Sequence, residues 1–256
     1  MEIHNILFLT SRDLTDVKRG SLCYTVNGGC AARCLGAESE NVMKRNTVVA
    51  LIYWCALHTA LFAAGRAHQA LDKRLFYTFG AVYVLLLWCP QLIVKFVEHR
   101  PIGSLGFRVG SLAQIIPWGL GAFVLIVVFL IIETWFRVTF HGEPLEPTTP
   151  LVSKLPIEIL EQLLWIGLPE EIAHRGYFLT RLRESWGTLP ALVISAFLFG
   201  VGHLALGDLP RAIQAGVSGL VYGTVLLKTD SVFAPAVVHI LINLFGRAIV
   251  RVVLSH

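Results

Sequence analysis

The fold is decided by residues 155–179, which read LPIEILEQLLWIGLPEEIAHRGYFL. Their length and apolar character predict a membrane-crossing helix, because about 20 residues span the hydrocarbon core of a bilayer. Glu170 and Glu171 stand side by side in this stretch, and Arg175 follows one helical turn later. A charge at the centre of a bilayer costs roughly 2.5–3.5 kcal/mol before any pairing. The two carboxylates are therefore best explained by chemistry that requires them.

The composition of the whole chain is that of a membrane protein. Of 256 residues, 55% are hydrophobic and 15% are charged, whereas soluble domains average about 25% charged residues. We expect an all-α fold, a polytopic helical bundle of about seven transmembrane helices in a lipid bilayer. The net charge of +4 is spread over the loops. No basic patch with interleaved aromatic residues occurs, so no nucleic-acid partner is expected.

The apolar blocks divide the chain into an extension and one membrane domain. The predicted spans are Thr47–Gly65, Leu75–Val94, Leu112–Ile132, Pro156–Leu179, Leu189–Leu206, Ala212–Leu227 and Val232–Val253. No Pro/Gly/Ser-rich linker separates them, so residues 43–256 are predicted to form a single domain. Pro90 is expected to kink the second span. Residues 1–42 are polar and are predicted to be a disordered extension, with Met43 as a candidate natural start.

Polar side chains recur on three of the predicted helices. His203 lies on the fifth span, and His239 and Asn243 lie four residues apart on the seventh. Residues four apart share a helix face, so His239 and Asn243 point the same way and Glu171 can pair with Arg175. That ion pair leaves Glu170 free to take up a proton.

Together these side chains contain what water attack on an amide carbonyl needs. Glu170 can serve as the base and His203 can position the water. His239 and Asn243 can donate hydrogen bonds to a developing oxyanion. No serine or cysteine is paired with a base at these positions, so a covalent mechanism is less favoured.

Other polar residues in the spans have simpler interpretations. His58 stands alone in the first span and is expected to be a hydrogen-bonded bundle residue. Glu133 and Arg137 are four apart and are expected to form an ion pair near the membrane interface. His174 is left open between a structural role and a contact with Glu170.

The motifs resemble those of the CPBP family (CAAX protease and bacteriocin-processing, or Abi) of intramembrane proteases. The matching elements are Glu170-Glu171-x3-Arg175-Gly176, Phe199-x3-His203 and His239-x3-Asn243. Order, spacing and placement on successive helices agree over about residues 155–250, the expected catalytic core. The family usually has an aromatic or aliphatic residue where His174 stands.

The resemblance implies a glutamate-dependent endopeptidase that acts within or at the membrane. By this resemblance, Glu170 would activate the water with help from His203. Glu171 and Arg175 would support the site, and His239 and Asn243 would stabilise the oxyanion. No cofactor is expected. Zinc is less favoured because the chain has no His-x3-His pair to combine with a glutamate.

The resemblance leaves the substrate open. Relatives process prenylated CaaX proteins, mature bacteriocins or cleave sorting tails, so we expect a membrane-embedded or membrane-anchored protein or peptide. A prokaryotic cell membrane is the expected location. The alternative from another class is a non-catalytic immunity or scaffold protein that binds a peptide in the same cavity. A transporter with proton-relaying carboxylates is disfavoured because no inverted repeat is evident.

Overall fold

In a computed structural model, residues 35–145, 151–205 and 207–255 are described. Two units divide the chain, one ending at Arg45 and one covering Asn46–His256. The described part of the first unit is helical and carries an exposed ion pair between Lys44 Nζ and Glu40 Oε1 at 2.7 Å. Residues 1–42 are predicted to be disordered, and most of them lie outside the described ranges. Their described part, residues 35–42, is helical.

The described residues form helices and no strands. The helices are α1 (Leu35–Gln69), α2 (Lys73–Val97), α3 (Leu112–His141), α4 (Leu151–Leu164), α5 (residues 167–186), α6 (Thr188–His203), α7 (Leu209–Thr229) and α8 (Phe233–Leu254). Among them, α2, α3, α8 and the part of α1 from Glu40 are long and apolar enough to cross a membrane. The prediction of an all-α integral membrane protein is confirmed.

Each predicted span except the fourth coincides with one helix. The second is interrupted at Trp88 and Cys89, directly before Pro90, and then continues to Val97. The interruption lies where the kink is predicted, and the missing N–H of proline and the clash of its ring with the preceding turn explain it.

The prediction of one continuous helix from Pro156 to Leu179 is wrong. Helix α4 ends at Leu164 and α5 begins at Gly167, with Ile166 between them at φ −125° and ψ −83°. Pro169 explains the break, because its ring would clash with the carbonyl of Trp165 in a continuous helix and it has no N–H to donate. Glu170 consequently lies in the first turn of α5, where the helix dipole favours a negative charge.

Small residues bring α6 and α7 into close contact beside the carboxylates. A Cβ at Gly219 of α7 would lie 3.2 Å from the Cα of Ala196 in α6 and 3.2 Å from Nη2 of Arg175 in α5. A Cβ at Gly200 of α6 would lie 2.7 Å from the carbonyl oxygen of Ala212. Only glycine permits these approaches, and they place three helices around one point.

Candidate active site

The carboxylate of Glu171 lies at the centre of a buried charge cluster. Its Oε1 is 2.9 Å from Nδ1 of His239 in α8 and 3.2 Å from Nη1 of Arg175. Glu171 is 0% exposed and Arg175 is 1% exposed. The ion pair predicted from the spacing of Glu171 and Arg175 is confirmed, and His239 joins it from another helix.

Aromatic rings hold the partners of Glu171 in place. The guanidinium carbon of Arg175 lies 4.0 Å from the ring centroid of Phe199 and 5.3 Å from that of Tyr222. The ring of His239 stacks on Tyr222 with centroids 4.9 Å apart. Cation–π contact stabilises a desolvated guanidinium, so the aromatic rings on α6 and α7 fix the charged groups of α5 and α8.

Glu170 has a different environment from its neighbour. Its side chain is buried, and its Oε1 accepts a hydrogen bond from the hydroxyl of Tyr83 in α2 at 3.2 Å. Within the part of the chain that is described, no ion pair involves Glu170. The adjacent carboxylates thus differ, one being held by a guanidinium and an imidazole and the other by a tyrosine hydroxyl.

His203 lies near Glu170 at the end of α6. Its Nδ1 is 2.9 Å from the carbonyl oxygen of Phe199. A carbonyl oxygen only accepts hydrogen bonds, so Nδ1 carries the proton and the neutral ring keeps its lone pair on Nε2. Glu170, Arg175 and His239 all interact electrostatically with His203.

Asn243 is oriented by a residue that the sequence did not single out. Its Nδ2 donates to Oε1 of Gln162 in α4 at 2.8 Å. Gln162 is buried, whereas the side chain of Asn243 is exposed at the bundle surface. Asn243 also lies in a π-helical segment of α8, Ile242–Gly246, a local widening of the helix that is frequent at functional sites.

The structure therefore brings Glu171, Arg175 and His239 into direct contact and places His203 within electrostatic range of Glu170. Asn243 lies one turn beyond His239 and contacts Gln162 instead of these groups. The long-range contacts depend on how separate helices pack, which spacing along the sequence does not reveal.

Two histidines extend this cluster toward α1. His58 donates from Nδ1 to the carbonyl oxygen of Trp54 at 2.9 Å, as expected for a hydrogen-bonded bundle residue. Its ring also lies 5.3 Å from that of His174, and a Cβ at Gly202 would be 2.4 Å from its Nε2. His174 packs on Phe199 at 4.9 Å, so His174 contacts a ring of the site rather than Glu170.

An open cleft reaches His58 from the outside of α1. It has a volume of about 530 Å³ and is lined by Trp54, Cys55, His58, Thr59, Phe62, Ala63 and Arg66. His58 thus separates this cleft from Gly202 and the adjoining His203. The sequence contains one signal for the position of His58 beside the site, because His58 is an isolated titratable residue in an apolar span.

Several buried polar atoms of the cluster have no hydrogen-bond partner among the described residues. They are Oε2 of Glu171, Nη2 of Arg175 and Nδ1 of His174. Buried polar groups without partners are rare in folded proteins and often mark functional sites. No group of three or more His, Cys, Asp or Glu side chains in the described ranges is arranged to hold a metal ion.

Residues 152–245 match the model of a family described as type II CAAX prenyl endopeptidase Rce1-like. This segment is similar to the Rce1-like family over about a third of the chain. It contains all six predicted site residues and agrees with the resemblance of the motifs to the CPBP family. The Rce1-like family is one of intramembrane proteases, so the match supports a hydrolase. Neither a curated protein nor a solved structure matches the chain.

Proposed function

We propose that this protein is an intramembrane endopeptidase in which Glu170 activates a water molecule to hydrolyse a peptide bond. One observation carries the proposal, the unequal environments of the two adjacent carboxylates. Glu171 contacts Arg175 and His239, whereas Glu170 accepts from a neutral tyrosine beside His203. A carboxylate without a cationic partner can take up a proton during the reaction, and one paired with a guanidinium serves to organise the site.

Water activation follows from the free acceptors on Glu170 and His203. Oε1 of Glu170 accepts from Tyr83, which leaves Oε2 to accept from the water. Nε2 of His203 keeps its lone pair because Nδ1 donates to Phe199. Two acceptors hold the two hydrogens of one water, so a lone pair of its oxygen points at the scissile carbonyl carbon. As the C–O bond forms, the proton passes to Glu170.

The oxyanion formed in this step needs hydrogen-bond donors. Nδ1 of His239 faces the Glu171 carboxylate, and when Nε2 of this ring also carries a proton, that N–H can donate to the oxyanion. Asn243 uses one amide hydrogen for Gln162 and keeps another for the same purpose. When the intermediate collapses, the C–N bond breaks and Glu170 returns its proton to the leaving nitrogen.

The proposed substrate is a membrane-embedded or membrane-anchored protein or peptide, as for CaaX-type, sorting-tail or maturation proteases. The proposed reaction uses no metal or other cofactor. The proposed site lies inside a bundle that contains helices able to span a membrane, and this location supports cleavage at or within the bilayer.

Comparison of protein termini in cells tests this function. The cells would carry the wild-type chain, Glu170→Gln, or Glu161→Gln, which makes the same change at an exposed glutamate of α4. We expect new termini on membrane-linked peptides with the wild type and with Glu161→Gln. The same termini should be absent with Glu170→Gln, because the amide keeps the size of the side chain but cannot accept the proton.

Two results would count against the proposal. Unchanged processing in the Glu170→Gln cells would remove Glu170 as the base. A biological effect that persists in those cells without any cleavage would favour the non-catalytic peptide-binding alternative.

A further inference from the structure

Helix α2 contacts the site although it lies outside the segment that matches the Rce1-like family. The domain match covers residues 152–245, and Tyr83 of α2 donates its hydroxyl hydrogen to Oε1 of Glu170 at 3.2 Å. Tyr83 is half-buried and occupies a span with no charged residue between Leu75 and Val94. A tyrosine hydroxyl in an apolar environment is costly unless it is hydrogen-bonded, so its contact with Glu170 satisfies both groups.

A second contact joins α2 to the chain just before Glu170. Nε1 of Trp88 donates to the carbonyl oxygen of Leu164 at 3.0 Å. This carbonyl lies at the end of α4, where the break at Ile166 ends the regular helical hydrogen bonding. An unpaired carbonyl in hydrocarbon costs several kcal/mol. Trp88 therefore stabilises the break that places Glu170 in the first turn of α5.

We propose that Tyr83 is a positioning residue that orients the Glu170 carboxylate for water activation, an inference that rests on the proposed function. The terminal torsion of a glutamate side chain is broad, so burial alone does not fix which oxygen meets the water. The bond from Tyr83 to Oε1 constrains the carboxylate plane and leaves Oε2 to meet the water. Trp88 holds the backbone that carries Glu170, and Tyr83 holds its side chain.

Tyr83→Phe removes the hydroxyl and keeps the ring. Tyr77→Phe is the matched control, because Tyr77 lies on the same helix and is 69% exposed. The first measurement is the infrared carboxylate band that disappears in Glu170→Gln, recorded on the full chain in bilayer discs. We expect this band to shift in Tyr83→Phe and to stay in place in Tyr77→Phe. An unshifted band in Tyr83→Phe would overturn the proposal, and this measurement does not require the protein to turn over a substrate.

The second measurement separates kcat from KM, with a fluorogenic peptide that carries a farnesylated CaaX terminus as the probe. A residue that orients the base acts on the chemical step, so kcat of Tyr83→Phe should fall about 10-fold or more with KM unchanged. A wild-type kcat in Tyr83→Phe together with an inactive Glu170→Gln would overturn the role of Tyr83 alone. Full activity in Glu170→Gln would instead overturn the proposed function.

Discussion

At the scale of single residues, two neighbouring carboxylates differ because different helices reach them. Glu171 is fully buried between a guanidinium and an imidazole, whereas Glu170 meets a tyrosine hydroxyl. Burial makes such a charge depend on its partners, since removing one leaves an uncompensated charge in a low-dielectric interior. Replacing Arg175 should therefore affect the stability of the protein as strongly as it affects the activity.

Arg175→Met keeps an unbranched side chain and removes the charge. We predict a loss of about 3–5 kcal/mol in the free energy of unfolding, because Glu171 keeps its charge without its guanidinium partner. The double variant Glu171→Leu with Arg175→Met should lose less, since no unpaired carboxylate remains. Unfolding in detergent by denaturant or heat measures both.

Arg137→Met is the matched control for this prediction. Nε of Arg137 is 2.6 Å from Oε1 of Glu133, which confirms the ion pair predicted there, and the Arg137 side chain is 21% exposed. A partly exposed pair contributes about 0–1 kcal/mol, so the control should cost little. Equal losses in Arg137→Met and Arg175→Met would contradict the importance of the buried cluster.

The sequence predicts part of this residue-scale arrangement. The pairing of Glu171 with Arg175 follows from their spacing, because one helix determines it. The contact of Glu171 with His239 joins residues 68 apart, and that of Glu170 with Tyr83 joins residues 87 apart. Such contacts depend on helix packing, which no single helix encodes.

At the scale of helices, close packing and local irregularity position the site. Ile172–Leu179, directly after Glu171, and Ile242–Gly246, which contains Asn243, are π-helical. Their hydrogen bonds join residues five apart instead of four, which widens the helix locally. Spacing rules for regular α-helices locate the residues on their helices but do not predict this widening.

The close contact of α6 with α7 gives a prediction at this scale. A Cβ at Gly200 would lie 2.7 Å from a backbone oxygen, whereas one at Gly80 of α2 would meet nothing within 4 Å. Gly200→Ala should therefore lower the free energy of unfolding by about 1–3 kcal/mol through overpacking. Gly80→Ala should be neutral or slightly stabilising, because alanine favours helix.

Thermal unfolding of both variants in the same detergent measures this difference. A Gly200→Ala protein as stable as Gly80→Ala would mean that α6 and α7 do not approach as closely as described.

The break in the predicted fourth helix had one signal in the sequence, Pro169, because a proline inside a helical pattern marks a break.

At the scale of the whole molecule, the site extends beyond the segment that matches the Rce1-like family. Tyr83 and His58 reach it from α2 and α1, and neither lies in the matched segment. Composition and apolar block length were enough to predict the fold class. The motifs singled out Glu171, Arg175 and His239, which the structure brings into contact. The contribution of the first two helices could not be predicted, because their apolar sequences carry no motif.

A chain that starts at Met43 tests the predicted division into extension and membrane domain. The contacts of the site described above involve residues 54–243. We therefore predict that the shortened chain keeps the wild-type cleavage rate and the wild-type midpoint of thermal unfolding. A clear loss of either would give residues 1–42 a role in the domain and contradict their prediction as a separate extension.

The most direct test of water activation by Glu170 is the cleavage rate of the purified full chain in bilayer discs, with the peptide identified from the cellular termini. We predict that Glu170→Gln lowers kcat about 10²- to 10⁴-fold, that Glu161→Gln keeps the wild-type rate, and that a metal chelator changes neither result. Cleavage by Glu170→Gln at the wild-type rate would contradict the assignment of Glu170 as the base.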